Sequence, residues 1–158
     1  MNGEMKMTVK IYTLTSSTSS RRAVEFFIEN NIEFEEQRMG INPMNKEQMM
    51  EVLEKTYGGI EDILSTRSKD YSILRKKGIN FDDMNLTRMS ELIEEYPRLL
   101  KAPIILDNNK VNVGYNDEEI RSFIPKEVRK KEMDRLLAKM DVINFPYNGY
   151  NEDIEEAL

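Results

Sequence analysis

The chain has 158 residues, 39% hydrophobic and 33% charged, with a formal net charge of −6 and neither cysteine nor histidine. That length supports one domain with a real core, and no apolar run approaches the ~20 residues of a membrane span. The missing residue types exclude disulfides, thiolate catalysis, cysteine-ligated metals, the usual proton shuttle and the usual nitrogen ligand for zinc. The carboxylates, lysines, tyrosines and hydroxyls that remain form no catalytic or metal-binding constellation, so no catalytic residue, metal or cofactor is expected. The start carries no apolar signal segment, and the default expectation is a cytoplasmic protein with no membrane association. The charge is uneven. Beyond Met140 there is no cation, while Asp141, Glu152, Asp153, Glu155 and Glu156 supply nearly the whole of the negative balance. The pI therefore reports on a tail rather than on the body.

Residues 7–12 alternate apolar and polar and are β-branched, the pattern of a first strand, after a frayed stretch 1–6. A loop of hydroxyls, Thr15 to Ser20, leads into a helix starting at Ser19 or Ser20, with Ala23, Val24, Phe26, Phe27 and Ile28 on its apolar face. Asn30-Asn31 ends it, and residues 32–39 read as a second strand, parallel to the first through an ordinary β-α-β connection. Asn45 is placed to cap a helix through Met49, Met50, Val52 and Leu53, which Gly58-Gly59 stops. Helices are then expected over 60–64, 69–77 and 86–96. Residues 104–107 and 111–115 flank Asn108-Asn109-Lys110 as a hairpin. Asn116 caps a helix through Phe123, and Pro125 opens a last one to about Met140. The fold class is α/β: a mixed sheet in the order β-α-β, helical insertion (about 43–98), β-β-α, with helices on both faces and a C-terminal helix. One domain over 7–140 is expected, followed by a flexible acidic tail over 141–158. Met39, Met44, Met49 and Met50 are expected to fill gaps in the core.

Several residues invite both a bland and a functional reading. Ser17 and Ser20 are separated by two residues at a strand-to-helix turn, where C-x-x-C commonly sits and where serine oxygens also cap orphan helix N–H groups. A serine there has no histidine to activate it as a nucleophile. Gly58-Gly59 is an ordinary helix stop, or a place where a missing Cβ lets a partner approach the backbone. The basic residues Arg75, Lys76, Lys77, Lys126, Arg129, Lys130, Lys131, Arg135 and Lys139 suit helix C-termini and mixed solvated faces as well as phosphate. No recognition motif for autonomous DNA reading is present.

Four segments also carry a resemblance. They are residues 11–13 with the serine turn and Arg21-Arg22-Ala23; 59–68 (GIEDILSTRS); 99–107 (LLKAPIILD); and 113–125 (VGYNDEEIRSFIP). In this order and spacing, from about residue 7 to 135, the chain resembles the Spx family of transcriptional regulators, relatives of arsenate reductase found in low-GC Gram-positive bacteria. The resemblance implies a thioredoxin-like core with Pro103 in a cis peptide. It implies a non-enzymatic, monomeric regulator that binds the C-terminal domain of the RNA polymerase α subunit and alters promoter use under stress. Ser17 and Ser20 match the family's redox-switch cysteines, so that switch is lost here. Gly59 matches the glycine that contacts the polymerase, with Tyr57 and Ile60 flanking it, and a Gly59→Arg exchange is expected to abolish binding while leaving the fold intact. Arg67 matches an arginine aimed at the turn around Ser17; where reductases place another before the proline, this chain has Ala102. The alternative, a reductase relative, is inactive here for lack of cysteine. A residual anion site at the Ser17 turn is a third reading. DNA contact is expected to be weak and confined to the polymerase complex. Degradation of relatives by the ClpXP protease through their C-terminal ends suggests a recognition role, direct or through an adaptor, for the tail.

Overall fold

Strand β1 (Val9–Thr13) takes its place from alternation along its own length. Ile11 pairs with Ile105 across one neighbour, while Lys10 and Tyr12 pair with Leu106 and Ile104 on the opposite face. Of β1 only Lys10 is partly exposed, paired with Glu51, and the other four residues are buried, so both faces of the strand are covered. The computed structural model that shows this describes the backbone of residues 8–143 and the side chains of residues 8–140. They fall into two units, one ending at Phe123 and one beginning at Ile124.

In the first unit, α1 (Thr18–Glu29) follows β1 and buries Ala23 and Phe27. The Phe27 ring packs against Phe34 and Phe123, with centroids 5.8 and 5.9 Å away. The helix ends in a Schellman arrangement. Asn31 takes a left-handed φ of 54°, and the N–H groups of Asn31 and Ile32 donate to the carbonyls of Ile28 and Phe27. Ile32 is thereby used by the helix end, and β2 is shorter than expected, spanning Phe34–Arg38. It runs parallel to β1, Val9 beside Phe34 and Thr13 beside Arg38.

The helical insertion holds α2 (Lys46–Glu54), α3 (Ile60–Ile63), α4 (Lys69–Lys76) and α5 (Leu86–Glu95). Asn45 and Gln48 form a reciprocal capping box on α2, and Ser68 and Asn85 cap α4 and α5 through their side-chain oxygens. These helices build the main core cluster with Tyr12, Ile104 and Leu106 of the sheet. Met39, Met44 and Met49 lie inside it, whereas Met50 is 46% exposed, on the outer side of α2. The chain returns to the sheet in β3 (Ile104–Leu106) and β4 (Val111–Val113), giving the strand order β2-β1-β3-β4. The hairpin turn is held by Asp107, whose Oδ1 accepts from the N–H groups of Asn109 and Lys110 at 2.8 and 3.0 Å.

The helix expected after Asn116 is instead a 3-10 turn, Glu119–Phe123. Asn116 still caps it, accepting from Glu118 and Glu119. Pro125 prevents the turn from continuing, because the residue before proline avoids the helical region. The second unit contains α6, which runs over Lys126–Ile143, past the expected end near Met140.

Tyr12 carries the one buried side-chain polar atom without a hydrogen-bond partner among the described residues, its hydroxyl. Burial, reinforced by the charges of Glu51 and Glu35, pushes its pKa from the ordinary 10.0 up to about 12. A raised folded-state value means this phenol's contribution to stability is complete below pH 10 and is lost as pH rises toward 12. Tyr12→Phe is therefore expected to change stability at pH 7 by less than about 1 kcal/mol. It should also flatten the alkaline loss, read as the difference between wild-type and variant urea unfolding from pH 8 to pH 11.5. Equal alkaline slopes would refute this.

Candidate partner-binding surface

The serine turn is fully occupied by its own backbone. Ser17 is the N-cap of α1, its Oγ accepting from the Ser20 N–H at 3.0 Å. Ser20 is buried, and its Oγ accepts from the Leu14 N–H at 3.2 Å, tying the exit of β1 to the first turn of the helix. Arg21 closes the loop from outside, donating to the Thr15 carbonyl and to Thr18 Oγ1 at 3.0 and 3.2 Å. The sequence pattern does not single out Arg21 as a clamp, although an arginine in the first helical turn after a hydroxyl loop is a usable signal. With no cysteine in the chain, nothing at this turn can form a disulfide.

Two hollows adjoin the turn. One of about 360 Å³ is lined by Ser20 and Arg21 together with Glu36 and Arg38 of β2. Glu36 accepts a 2.8 Å hydrogen bond from Thr13 and lies 3.6 Å from Arg38. The other, about 370 Å³, brings Thr15 and Ser16 beside Asp70, Glu95 and Arg98. Arg98, then, is the insertion's arginine on this hollow. Arg67 is not among its lining residues; it is exposed and makes no hydrogen bond or ion pair with a described residue. Both hollows contain carboxylates, which oppose a bound anion. Among the described residues no group of three or more His, Cys, Asp or Glu could hold a metal ion.

A second surface lies at the start of α3. Gly59 has φ 69° and ψ −135°, a region open essentially to glycine alone. A Cβ built on it meets nothing within 4 Å. The backbone thus needs glycine here for its dihedrals, and a side chain would project into free space. Next to it, Gly58 donates its N–H to Asp62 Oδ2 at 2.8 Å, and a Cβ on Gly58 would come within 2.5 Å of Asp62 Oδ1. Asp62 likewise escapes the sequence pattern, although a carboxylate three residues after a glycine pair at a helix start is a recognisable N-terminal partner. Tyr57 is fully exposed. Ile60, expected to flank the contact in the same way, is half-buried and packs against the core, which leaves Tyr57 as the free apolar group.

This surface is fastened to the sheet. Lys101 donates to the Ile63 carbonyl and Ser65 to the Leu99 carbonyl, at 2.8 and 2.7 Å, around a Leu64–Leu100 bridge. The Ala102–Pro103 peptide that leads from there into β3 is cis.

Residues 12–123 match the ArsC family. The global transcriptional regulator Spx of Streptococcus agalactiae serotype V is 36% identical over 134 residues, covering 85% of this chain and 96% of that protein. Spx of Streptococcus mutans is 33% identical over the same length and shares. The chain belongs to the Spx branch of the ArsC family. In fold, the arsenate reductase from Vibrio cholerae superposes with a TM-score of 0.59 at 13% identity, over 75% of this chain and 97% of that one. The thioredoxin-like α/β architecture is thus that of the ArsC fold, with a helical insertion between the two halves of the sheet. Among the described residues no helix is long and apolar enough to cross a membrane.

If the serines serve as structural caps, their removal should be read in stability. Ser17→Ala is expected to cost about 1 kcal/mol, the usual loss of an N-cap. Ser20→Ala leaves the Leu14 N–H without its acceptor and should cost about 1–3 kcal/mol. Urea unfolding measures both, and an unchanged midpoint for either would contradict the cap assignment.

Proposed function

We propose that this Spx-branch chain is a cytoplasmic transcriptional regulator without enzymatic activity. It binds the C-terminal domain of the RNA polymerase α subunit through the surface of Tyr57 and Gly59 and thereby alters promoter use in a stress response. The observation that carries this reading is the pairing of a fully exposed tyrosine with a glycine whose missing Cβ would occupy open space. A partner backbone can approach there, with an aromatic anchor at hand. The names of the streptococcal relatives, global transcriptional regulators, support the same class of function. Arg67, exposed and unpaired with any described residue, is free to meet an acidic group of the partner. Occupying this surface would change which activators or promoter elements the polymerase can use. Contact with DNA would be weak and confined to that complex. The tail, which would engage the ClpXP protease or its adaptor, lies outside the described residues beyond position 143.

A thiol-dependent reductase is not supported in this chain. Its turn has no sulfur, and both serine oxygens already accept backbone N–H groups.

The Gly59→Arg exchange is a poorer probe than the sequence suggests, because the left-handed φ adds strain of about 1–3 kcal/mol to any steric effect at the interface. Tyr57→Ala avoids this. Its side chain is fully exposed, so the unfolding midpoint should stay unchanged while affinity for the isolated α C-terminal domain falls tenfold or more. Calorimetric titration reads the affinity, and undiminished binding by Tyr57→Ala would overturn the assignment of this surface.

A further inference from the structure

Strand β2 is an end member of the sheet, and its outer edge is uncovered among the described residues. The Met39 N–H donates to the Thr13 carbonyl, so the odd-numbered residues of this stretch turn their backbone groups toward β1. Alternation turns those of Glu36 and Arg38 the other way. The Arg38 carbonyl is used by the N–H groups of Ile41 and Asn42, at 3.1 and 2.8 Å. The N–H groups of Glu36 and Arg38 and the Glu36 carbonyl have no partner among the described residues. Sheet edges are ordinarily blunted by proline, a bulge, brevity or charge. β2 has only the last of these: it contains no proline, and its register with β1 is unbroken over five residues.

Its charges are set out as a recognition pattern. Glu35 and Gln37 point to one face of the strand, Glu36 and Arg38 to the other, and a hollow lies on each. The first, of about 580 Å³, is lined by Glu35 and Gln37 together with Ile41, which is 77% exposed. The second, the hollow of about 360 Å³ beside the serine turn, adds Val24 and Glu25 of α1. Most charges around them are matched. Lys10 lies 3.4 Å from Glu51 and Arg38 lies 3.6 Å from Glu36, while Arg21 is engaged with Thr15 and Thr18. Glu35 in the first hollow and Glu25 in the second are exposed and make no hydrogen bond or ion pair with a described residue. Each hollow thus offers one unmatched carboxylate and one aliphatic wall, Ile41 or Val24. A lysine or arginine side chain, apolar along its stem and cationic at its head, fits both.

We propose that the open edge of β2 docks an extended basic segment of a partner protein, which adds a strand to the sheet. Its main chain pairs with Glu36 and Arg38, and two cationic side chains enter the two hollows. Neighbouring residues of a strand point to opposite faces, so these cations are adjacent in the partner's sequence or three apart. Main-chain pairing supplies affinity, and the two carboxylates select the charge. The edge shares no residue with the surface of Tyr57 and Gly59, so it stands whether or not that surface meets the polymerase.

Titrating the full-length chain with the peptide Thr-Val-Thr-Arg-Lys-Thr-Val-Thr tests this, with amide exchange read by NMR. At about nine-tenths occupancy the Glu36 and Arg38 N–H groups should exchange about tenfold more slowly, because only the unoccupied fraction exchanges. The Met39 N–H, already bonded to β1, should not change. Glu25→Gln with Glu35→Gln should weaken binding about fivefold, the worth of two exposed ion pairs. The same peptide methylated on the backbone nitrogens of its four central residues should not bind. Unchanged exchange at Glu36 and Arg38, equal affinity of the methylated peptide, or equal affinity of the double variant each overturns the proposal. Slow exchange at these two amides before any peptide is added overturns it as well. If that protection fades on dilution, a second copy covers the edge; if it persists, another part of the chain does.

Discussion

Strand β1 must be covered on both faces and paired along both edges, and the rest of the first unit is arranged to meet that demand. It pairs parallel with β2 along one edge and antiparallel with β3 along the other. One face takes Phe27 and its aromatic neighbours; the other joins Tyr12 to the helical insertion. The cost is visible at the Tyr12 hydroxyl, which the packing leaves without a partner among the described residues. An apolar contact layer here outweighs one unmade hydrogen bond.

The same strand fixes the place of the serine turn. Each hydroxyl of the turn has a structural role, Ser17 for the helix and Ser20 for the strand exit. Serine suits this place because the first helical turn needs an acceptor. The surface around Gly59 is built without contribution from that turn. Its link to the sheet is the short pairing of residues 63–65 with 99–101.

Much of this is legible in the residues themselves. Alternation in β1, the Asn45 cap and the hairpin around Asn108 follow from local rules that tertiary packing does not contradict. Where expectation and structure differ, a non-local or competing term is responsible. Ile32 is drawn into the Schellman end of α1, and Pro125 ends the 3-10 turn after Asn116. Met50 has the same composition signal as Met49, but one more residue of helical rotation turns it outward. Around the candidate surface, the glycine pair stands out in the sequence and Tyr57 only as its neighbour, whereas the relation of Arg67 and Arg98 to the serine loop depends on how the insertion folds. Helical spacing within one element cannot supply that.

The pairing of Tyr12 with Ile104 also has a consequence in time. The two residues are separated by about ninety positions, so the sheet closes only after the whole insertion has been made, and such distant pairing is slow. During synthesis, β1, α1 and β2 emerge together while the β3-facing edge of β1 stays open. That edge presents the unpaired backbone groups of residues 10–12, a short template for pairing with another nascent chain. The period of greatest vulnerability for this protein is therefore set by the translation time of its insertion.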